Sequence, residues 1–319
     1  MAGIDEAGFG PVLGPLVVSA ATFSVPDELA DVSMWKLLAG AVGKRPSRKR
    51  RTIAIADSKK LYSPQRGNPL EHLERAVLAM LATRNNRPNS LGRLVASIAP
   101  ASRDAARQYP WYAGADLPLP RCISETDVAL AGNVLSVAMR QASVSLVDIR
   151  AEPVFVGEFN RMVEATRNKS VTLLSVTARL LMHVWRNAPA GLVRIYVDRQ
   201  GGRMRYLPYL QRTFEGVALK IIDEGEAVSA YSVSDGHRTA EIIFRTSCED
   251  RYLPAALASM TSKYVRELFM ALDNAFWLRH VPGLAPTAGY YSDGRRFFSE
   301  ILPAARKLQI DERLVYRYR

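Results

Sequence analysis

The segment Leu16-Val17-Val18-Ser19-Ala20-Ala21-Thr22-Phe23 is almost wholly apolar, and this run constrains the fold more than any other feature. A strand with no polar face belongs in the middle of a sheet covered on both sides. Residues 2–8 read as its neighbour, joined to it through the Gly/Pro turn Gly8-Phe9-Gly10-Pro11 and Gly14-Pro15. Downstream, strand and helix patterns alternate. Residues 143–157 read as a strand region and 159–187 as one helix, with Leu173, Leu174, Val176, Leu180, Leu181 and Val184 at helical spacing. A buried strand follows at 191–198, then strands near 217–222 and 240–246, and helices near 253–279 and 296–307. The expectation is an α/β fold, a mixed central β-sheet flanked by helices, with a helical region at about 253–319. Residues 1–319 read as one domain. An amphipathic helix is expected from about 69 to 83, and the polar, Arg- and Pro-rich stretch from 84 to about 120 reads as an insertion with little core of its own.

With 48% hydrophobic and 23% charged residues, collagen-like, low-complexity and wholly disordered classes are excluded. Cys122 and Cys248 are too few for a disulfide framework and have no zinc-ligand spacing, which points to a reducing compartment. No apolar run nears the roughly 20 residues of a membrane helix. Asp5-Glu6 stand where a signal peptide needs basic and then apolar residues. A soluble, cytoplasmic protein with no membrane partner is expected. Lys plus Arg numbers 43 against 31 Asp plus Glu, a net charge of +12. That excess favours a polyanionic partner, because each neutralised phosphate releases counterions. The run at 44–51, with six cations, suits a phosphate backbone and equally a solvated loop.

Asp5-Glu6 closes the first strand and Asp198 closes the strand at 191–198, each where apolar residues give way to polar ones. Open α/β sheets carry their sites at such strand ends. Carboxylates brought together there repel unless a divalent cation lies between them, and Mg²⁺ takes hard oxygen ligands while keeping waters for chemistry. The competing reading makes Asp5 a turn cap and Asp198 a helix cap. Adjacent strand residues point to opposite faces, so Asp5 and Glu6 share a site only if the strand ends or bends at Gly8 and Gly10. His72, His183, His237 and His280 are scattered without ligand spacing, and Trp185, Phe276 and Trp277 read as core.

Gly3-Ile4-Asp5-Glu6-Ala7-Gly8-Phe9-Gly10-Pro11, with Gly14-Pro15 behind it, resembles the opening signature of the type 2 ribonucleases H, ribonuclease HII and HIII. Asp57-Ser58-Lys59-Lys60-Leu61, Gly157-Glu158-Phe159-Asn160 and Tyr196-Val197-Asp198 are similar to later blocks of that family. So is Ala258-Ser259-Met260-Thr261-Ser262-Lys263-Tyr264-Val265-Arg266-Glu267, and the blocks keep the family order from residue 3 to about 300, which implies insertions between them at about 40–52, 84–142 and 226–240. The resemblance implies an RNase H-like fold and a four-carboxylate site using two divalent metals, Mg²⁺ or Mn²⁺. It makes Asp5, Glu6 and Asp198 the first three acids. An ungapped count of ten back from Ser259 gives Glu249 as the fourth, with Asp250 in reserve. It also implies substrate contacts at Gly8, Phe9, Gly10, Lys59, Lys60 and Tyr290. Lys263 and Arg266, one helical turn apart, either face the duplex or form a solvent stripe.

The activity implied is metal-dependent cleavage of the RNA strand of RNA–DNA hybrids, or at ribonucleotides embedded in duplex DNA, leaving 5′-phosphate and 3′-hydroxyl ends. The 2′-hydroxyl distinguishes RNA from DNA. Departures set limits. Phe9 stands where the HII branch has Arg, and Arg295 where its Gly-Tyr motif carries His. The acid strand opens the sequence, where the HIII branch places a further substrate-binding domain. A divergent member is therefore expected, monomeric, cleaving continuous hybrids with a weaker preference for a single ribonucleotide than HII enzymes have. Lys59, Lys60 or Arg295 is expected to supply the missing cation. Two rival classes are a catalytically silent nucleic-acid-binding protein and a DNA-directed nuclease on the same fold. Three intact acids weigh against the first, and the Lys59-Lys60 and Ser259 blocks against the second.

Overall fold

The computed structural model describes residues 1–47, 52–62, 67–189 and 191–318. The chain begins with strands β1 (Ala2–Ala7) and β2 (Leu16–Ser24). The helices that follow include α1 (Ser58–Leu61), α2 (Glu71–Ala82), α3 (Leu91–Ile98) and α4 (Glu125–Gln141). Then come β3 (Ser145–Val154), α5 (Val156–Thr166), α6 (Lys169–Asn187), β4 (Gly191–Asp198) and α7 (Leu207–Thr213). Strands β5 (Ala218–Glu224), β6 (Val228–Ser234) and β7 (Arg238–Arg245) complete the sheet. The chain continues through α8 (Cys248–Arg251), α9 (Leu253–His280) and α10 (Tyr291–Lys307).

Seven strands form one mixed sheet in the order β3-β2-β1-β4-β7-β6-β5. The β1–β4 and β4–β7 pairings are parallel and the others antiparallel. The fold class is the expected one, a mixed sheet flanked by helices. Strand β2 explains why both faces are covered: Val17, Ala21 and Phe23 feed one apolar layer, and Leu16, Val18 and Ala20 feed the other. Helices α2, α3, α4, α9 and α10 close the first layer, and α6 and α7 the second. Helix α9 rests directly on β1. A Cβ at Gly3 would stand 2.1 Å from the Ala255 nitrogen, so only glycine allows this approach. Among the described residues no helix is long and apolar enough to cross a membrane.

Three expectations need correction. The single helix over 159–187 is two helices, because Arg167 adopts the left-handed conformation (φ 51°) and Asn168 caps α6 by accepting from the Ser170 N–H at 2.9 Å. The stretch from 84 to about 120 is not short of buried residues. Leu91, Leu94, Tyr109, Trp111, Tyr112 and Leu119 enter the layer beneath α9, with the Trp111 ring centroid 5.8 Å from that of Trp277. Its few aromatic anchors are masked by polar neighbours in the sequence. Strand β6, which the sequence pattern did not announce, lies within 226–240 and pairs with β7. Near 40–52, Val42–Gly43 pairs in parallel with Ile53–Ala54, while residues 48–51 of the basic run lie outside the described residues.

Candidate active site

Parallel pairing of β1 with β4 runs from Ala2↔Ile195 to Ile4↔Val197 and stops there, whereas β4 stays paired with β7 to Asp198↔Arg245. Asp5, Glu6 and Asp198 are the residues that follow immediately. They stand where two neighbouring strands part. Strand β1 ends at Ala7, as expected, with Gly8 in a left-handed conformation (φ 87°), while its ladder with β2 stays in register through Ala7↔Val17. Beyond β7, Ser247 takes a left-handed conformation (φ 55°) and starts α8, which carries Glu249. The Cys248 N–H donates to Asp198 Oδ1 at 3.2 Å and ties this short helix to the end of β4. Asp5 is buried and held from α9: Ser262 Oγ donates to its carbonyl at 3.0 Å, and Ser259 hydrogen-bonds its carboxylate. Neither serine role was assigned from the sequence, though hydroxyls three residues apart in an otherwise apolar helix are a readable signal.

The electrostatics follow from this crowding. Burial, then Glu6 and Asp198, hold the Asp5 carboxyl well above the usual carboxylate range. Burial and Asp198 push Glu6 up to about 7, against the pull of Lys59. Burial raises Glu249 to about 7, with Asp198 adding to it, and burial also raises Asp198 against the Cys248 N–H. One oxygen of Glu249 is buried without a hydrogen-bond partner. Four hard oxygen donors that repel one another, one of them orphaned, fit a divalent cation by their chemistry. As posed, no three acidic, histidine or cysteine side chains among the described residues surround one point as a ready cation cage.

Lys59 leans over the acids. Burial opposes its charge, but Asp57, Asp5, Glu249 and Asp198 together raise its pKa. Asp57 caps α1 by accepting from the Lys59 N–H at 2.9 Å, which fixes where this lysine stands. Lys60 turns aside into an ion pair with Asp250, whose carbonyl also accepts from Lys44 Nζ at 2.5 Å. Asp250 is therefore occupied by cations, while Glu249 faces the other acids.

The loop at 8–14 borders the site. Gly289 reaches it, accepting at its carbonyl from the Val12 N–H at 2.8 Å, and so brings the exposed Tyr290 alongside. Phe9 is half-buried, and Lys169, the first residue of α6, holds its ammonium 5.0 Å from the ring centroid. The cation beside Phe9 is thus Lys169. Lys60 is paired with Asp250, and Arg295 lies against Tyr291, donating to its hydroxyl at 3.2 Å. Lys263 and Arg266 also differ from expectation. Both are buried and converge on Glu267 at 2.8 and 2.9 Å, and Arg266 donates on to the carbonyls of Leu13 and Ala288. They neither form a solvent stripe nor present free charge to a duplex. Arg266 instead supports the 8–14 loop and the segment before Tyr290.

Comparison with solved structures finds similarity to ribonuclease HII of Archaeoglobus fulgidus in its complex with PCNA, at 17% identity over 100% of this chain and 93% of that one, TM-score 0.45. Ribonuclease H3 of Aquifex aeolicus is similar at 14% identity over 99% and 71% of the two chains, TM-score 0.40. The ribonuclease H2 from Pyrococcus horikoshii OT3 is similar at 14% identity over 98% and 90%, TM-score 0.40. No protein-family profile matches the chain. No curated protein sequence matches it either.

Proposed function

We propose that this protein is a metal-dependent endoribonuclease that cleaves the RNA strand of RNA–DNA hybrids, or at ribonucleotides embedded in duplex DNA. The observation that carries the reading is the meeting of Asp5, Glu6, Asp198 and Glu249 at one end of three adjacent strands, each carboxyl raised by burial and most by its neighbours. The ordered motifs around these acids and the net charge of +12 support a nucleic-acid substrate. Asp5, Glu6, Asp198 and Glu249 would hold Mg²⁺ or Mn²⁺, their side chains drawing inward from the positions they occupy. When bound, such cations supply Lewis acidity at the phosphate and a water nucleophile at neutral pH. The protein's own residues do the rest: Ser259 and Ser262 fix Asp5, and the Cys248 N–H fixes Asp198. Phe9, Lys169 and Tyr290 line the approach for the substrate backbone. The test is incubation of the protein with a labelled hybrid and with a duplex carrying one ribonucleotide, with Mg²⁺, with Mn²⁺ and with chelator. Metal-dependent cuts leaving 5′-phosphates are expected, faster on the continuous hybrid. No cleavage of either substrate in any metal would refute the reading.

Two further results are expected. Glu6 and Glu249, normally near 4.5, stand at about 7 in the folded protein. Between those values the native state binds more protons than the unfolded chain, so this contribution to stability is full below 4.5 and lost as pH rises through 7. In chelator the melting temperature should therefore fall between pH 5.5 and 8, by an amount that saturating Mg²⁺ or Mn²⁺ removes. The same fall with and without metal would show that the acids do not share a cation. Second, Glu249→Gln should slow cleavage far more than Asp250→Asn. Glu249 faces Asp198, while the Asp250 carboxylate is paired with Lys60. Steady-state rates in Mg²⁺ decide it, and the reverse order of damage would move the ligand to Asp250.

A further inference from the structure

The 8–14 loop is held from within by a second buried guanidinium, that of Arg317, which is 2% exposed and lies in the segment after α10. Its Nη1 donates to the carbonyls of Gly8 and Pro11, its Nη2 to that of Gly14, and its own N–H to the Val12 carbonyl at 2.9 Å. The guanidinium lies 4.6 Å from the Phe159 ring centroid. Asn160 clips the same segment from α5. Its Nδ2 donates to the carbonyls of Arg313 at 2.9 Å and Tyr316 at 2.8 Å, and its Oδ1 accepts from the Tyr318 N–H at 3.1 Å.

Among the described residues Arg317 forms no ion pair with a carboxylate. A buried charge without a counter-ion is costly, and an apolar side chain would fill the volume at less cost. What Arg317 gains is the shape of one loop, since all its donors in use go there. In a trans peptide the N–H lies opposite the preceding carbonyl, so drawing the Gly8 carbonyl inward directs the Phe9 N–H outward. We propose that Arg317 is a positioning residue that presets the 8–14 loop, and with it Phe9, for the sugar–phosphate backbone of the substrate. This rests on the reading of that loop as substrate-facing.

The test compares the full-length parent with Arg317→Met and Arg317→Lys. Amide hydrogen exchange is followed in peptides covering 8–14, β4 and β7, and KM and kcat are measured on the hybrid. Arg317→Met removes all three guanidinium hydrogen bonds to the loop and should speed exchange in 8–14 by at least the roughly tenfold that one hydrogen bond from a charged donor is worth, leaving β4 and β7 unchanged. KM should rise by about tenfold with kcat held within about twofold, and Arg317→Lys should recover part of both. Unchanged exchange in the loop, or a rise shared equally by β4 and β7, overturns the proposal. If Arg317→Met does not fold, Asn160→Ala frees the segment while keeping Arg317. It should give the same local rise, and its absence counts against the proposal equally. A parent that cleaves neither substrate refutes the proposed function, whereas the exchange arm still decides what Arg317 does to the loop.

Discussion

Asp5→Asn should lower metal-dependent cleavage of the hybrid by about a thousandfold and, in chelator, raise the melting temperature rather than lower it. The two effects share one cause. Asp5 is buried with Glu6, Asp198 and Glu249 around it, and every one of those charges disfavours its ionised form. Asparagine keeps the shape and an oxygen able to accept from Ser259, so the fold loses little. The metal-free protein sheds repulsion, which is a gain in stability. The cation loses a carboxylate, and Lewis-acid stabilisation is worth several kcal/mol, with about 1.4 kcal/mol for each tenfold in rate. Rates in Mg²⁺ and thermal unfolding in chelator measure the pair of effects. Parent-like cleavage by Asp5→Asn would take Asp5 out of the catalytic set. A fall in melting temperature would show that its charge is not under strain.

Lys169→Ala should raise KM for the hybrid by about tenfold to a hundredfold while changing kcat little, the range expected for losing a charge-assisted phosphate contact of about 1.5–3 kcal/mol. Lys169 is exposed and sits over Phe9, beside the loop that Gly289 brings against Tyr290. Its ammonium is the cation that stands over the Phe9 ring, 5.0 Å from the centroid. The salt dependence gives an independent readout: removing one phosphate contact should reduce the slope of log affinity against log salt by about one. Phe9→Arg alone would set a second cation against Lys169. The double variant Phe9→Arg with Lys169→Ala should therefore bind hybrid better than Lys169→Ala alone. An unchanged KM and salt slope in Lys169→Ala would exclude it from the substrate path.

The acids were legible because their signal is local: an apolar strand that ends on a carboxylate states both its burial and its chemistry. Glu249 needed a count from Ser259, across a stretch where α8 leads almost directly into α9. Lys169 was not legible. Its place depends on Arg167 turning left-handed, and the one local sign of a break, the N-cap residue Asn168, sits inside a stretch that otherwise reads as a continuous helix. Lys263 and Arg266 show a different limit. Helical spacing puts two cations on one face without saying whether that face meets solvent, and here Glu267 and the 8–14 loop absorb both. The aromatic anchors between 109 and 119 were hidden by composition, because burial of a few large rings is set by tertiary contacts and not by the average polarity of a segment.

The sheet takes Asp5 from its first strand, Asp198 from its fourth and Glu249 from the turn after its last. No continuous stretch of sequence therefore carries a working site. Strand β1 must find β4 across the intervening helices, and non-local parallel pairing of this kind is intrinsically slow, because chain-closure entropy is lost before contacts reward it. The acids accordingly meet only once the centre of the sheet has closed. Their mutual repulsion is felt only once β1 and β4 have paired. Cations that bridge them should then slow unfolding far more than they speed folding, which makes metal a brake on the way out of the native state.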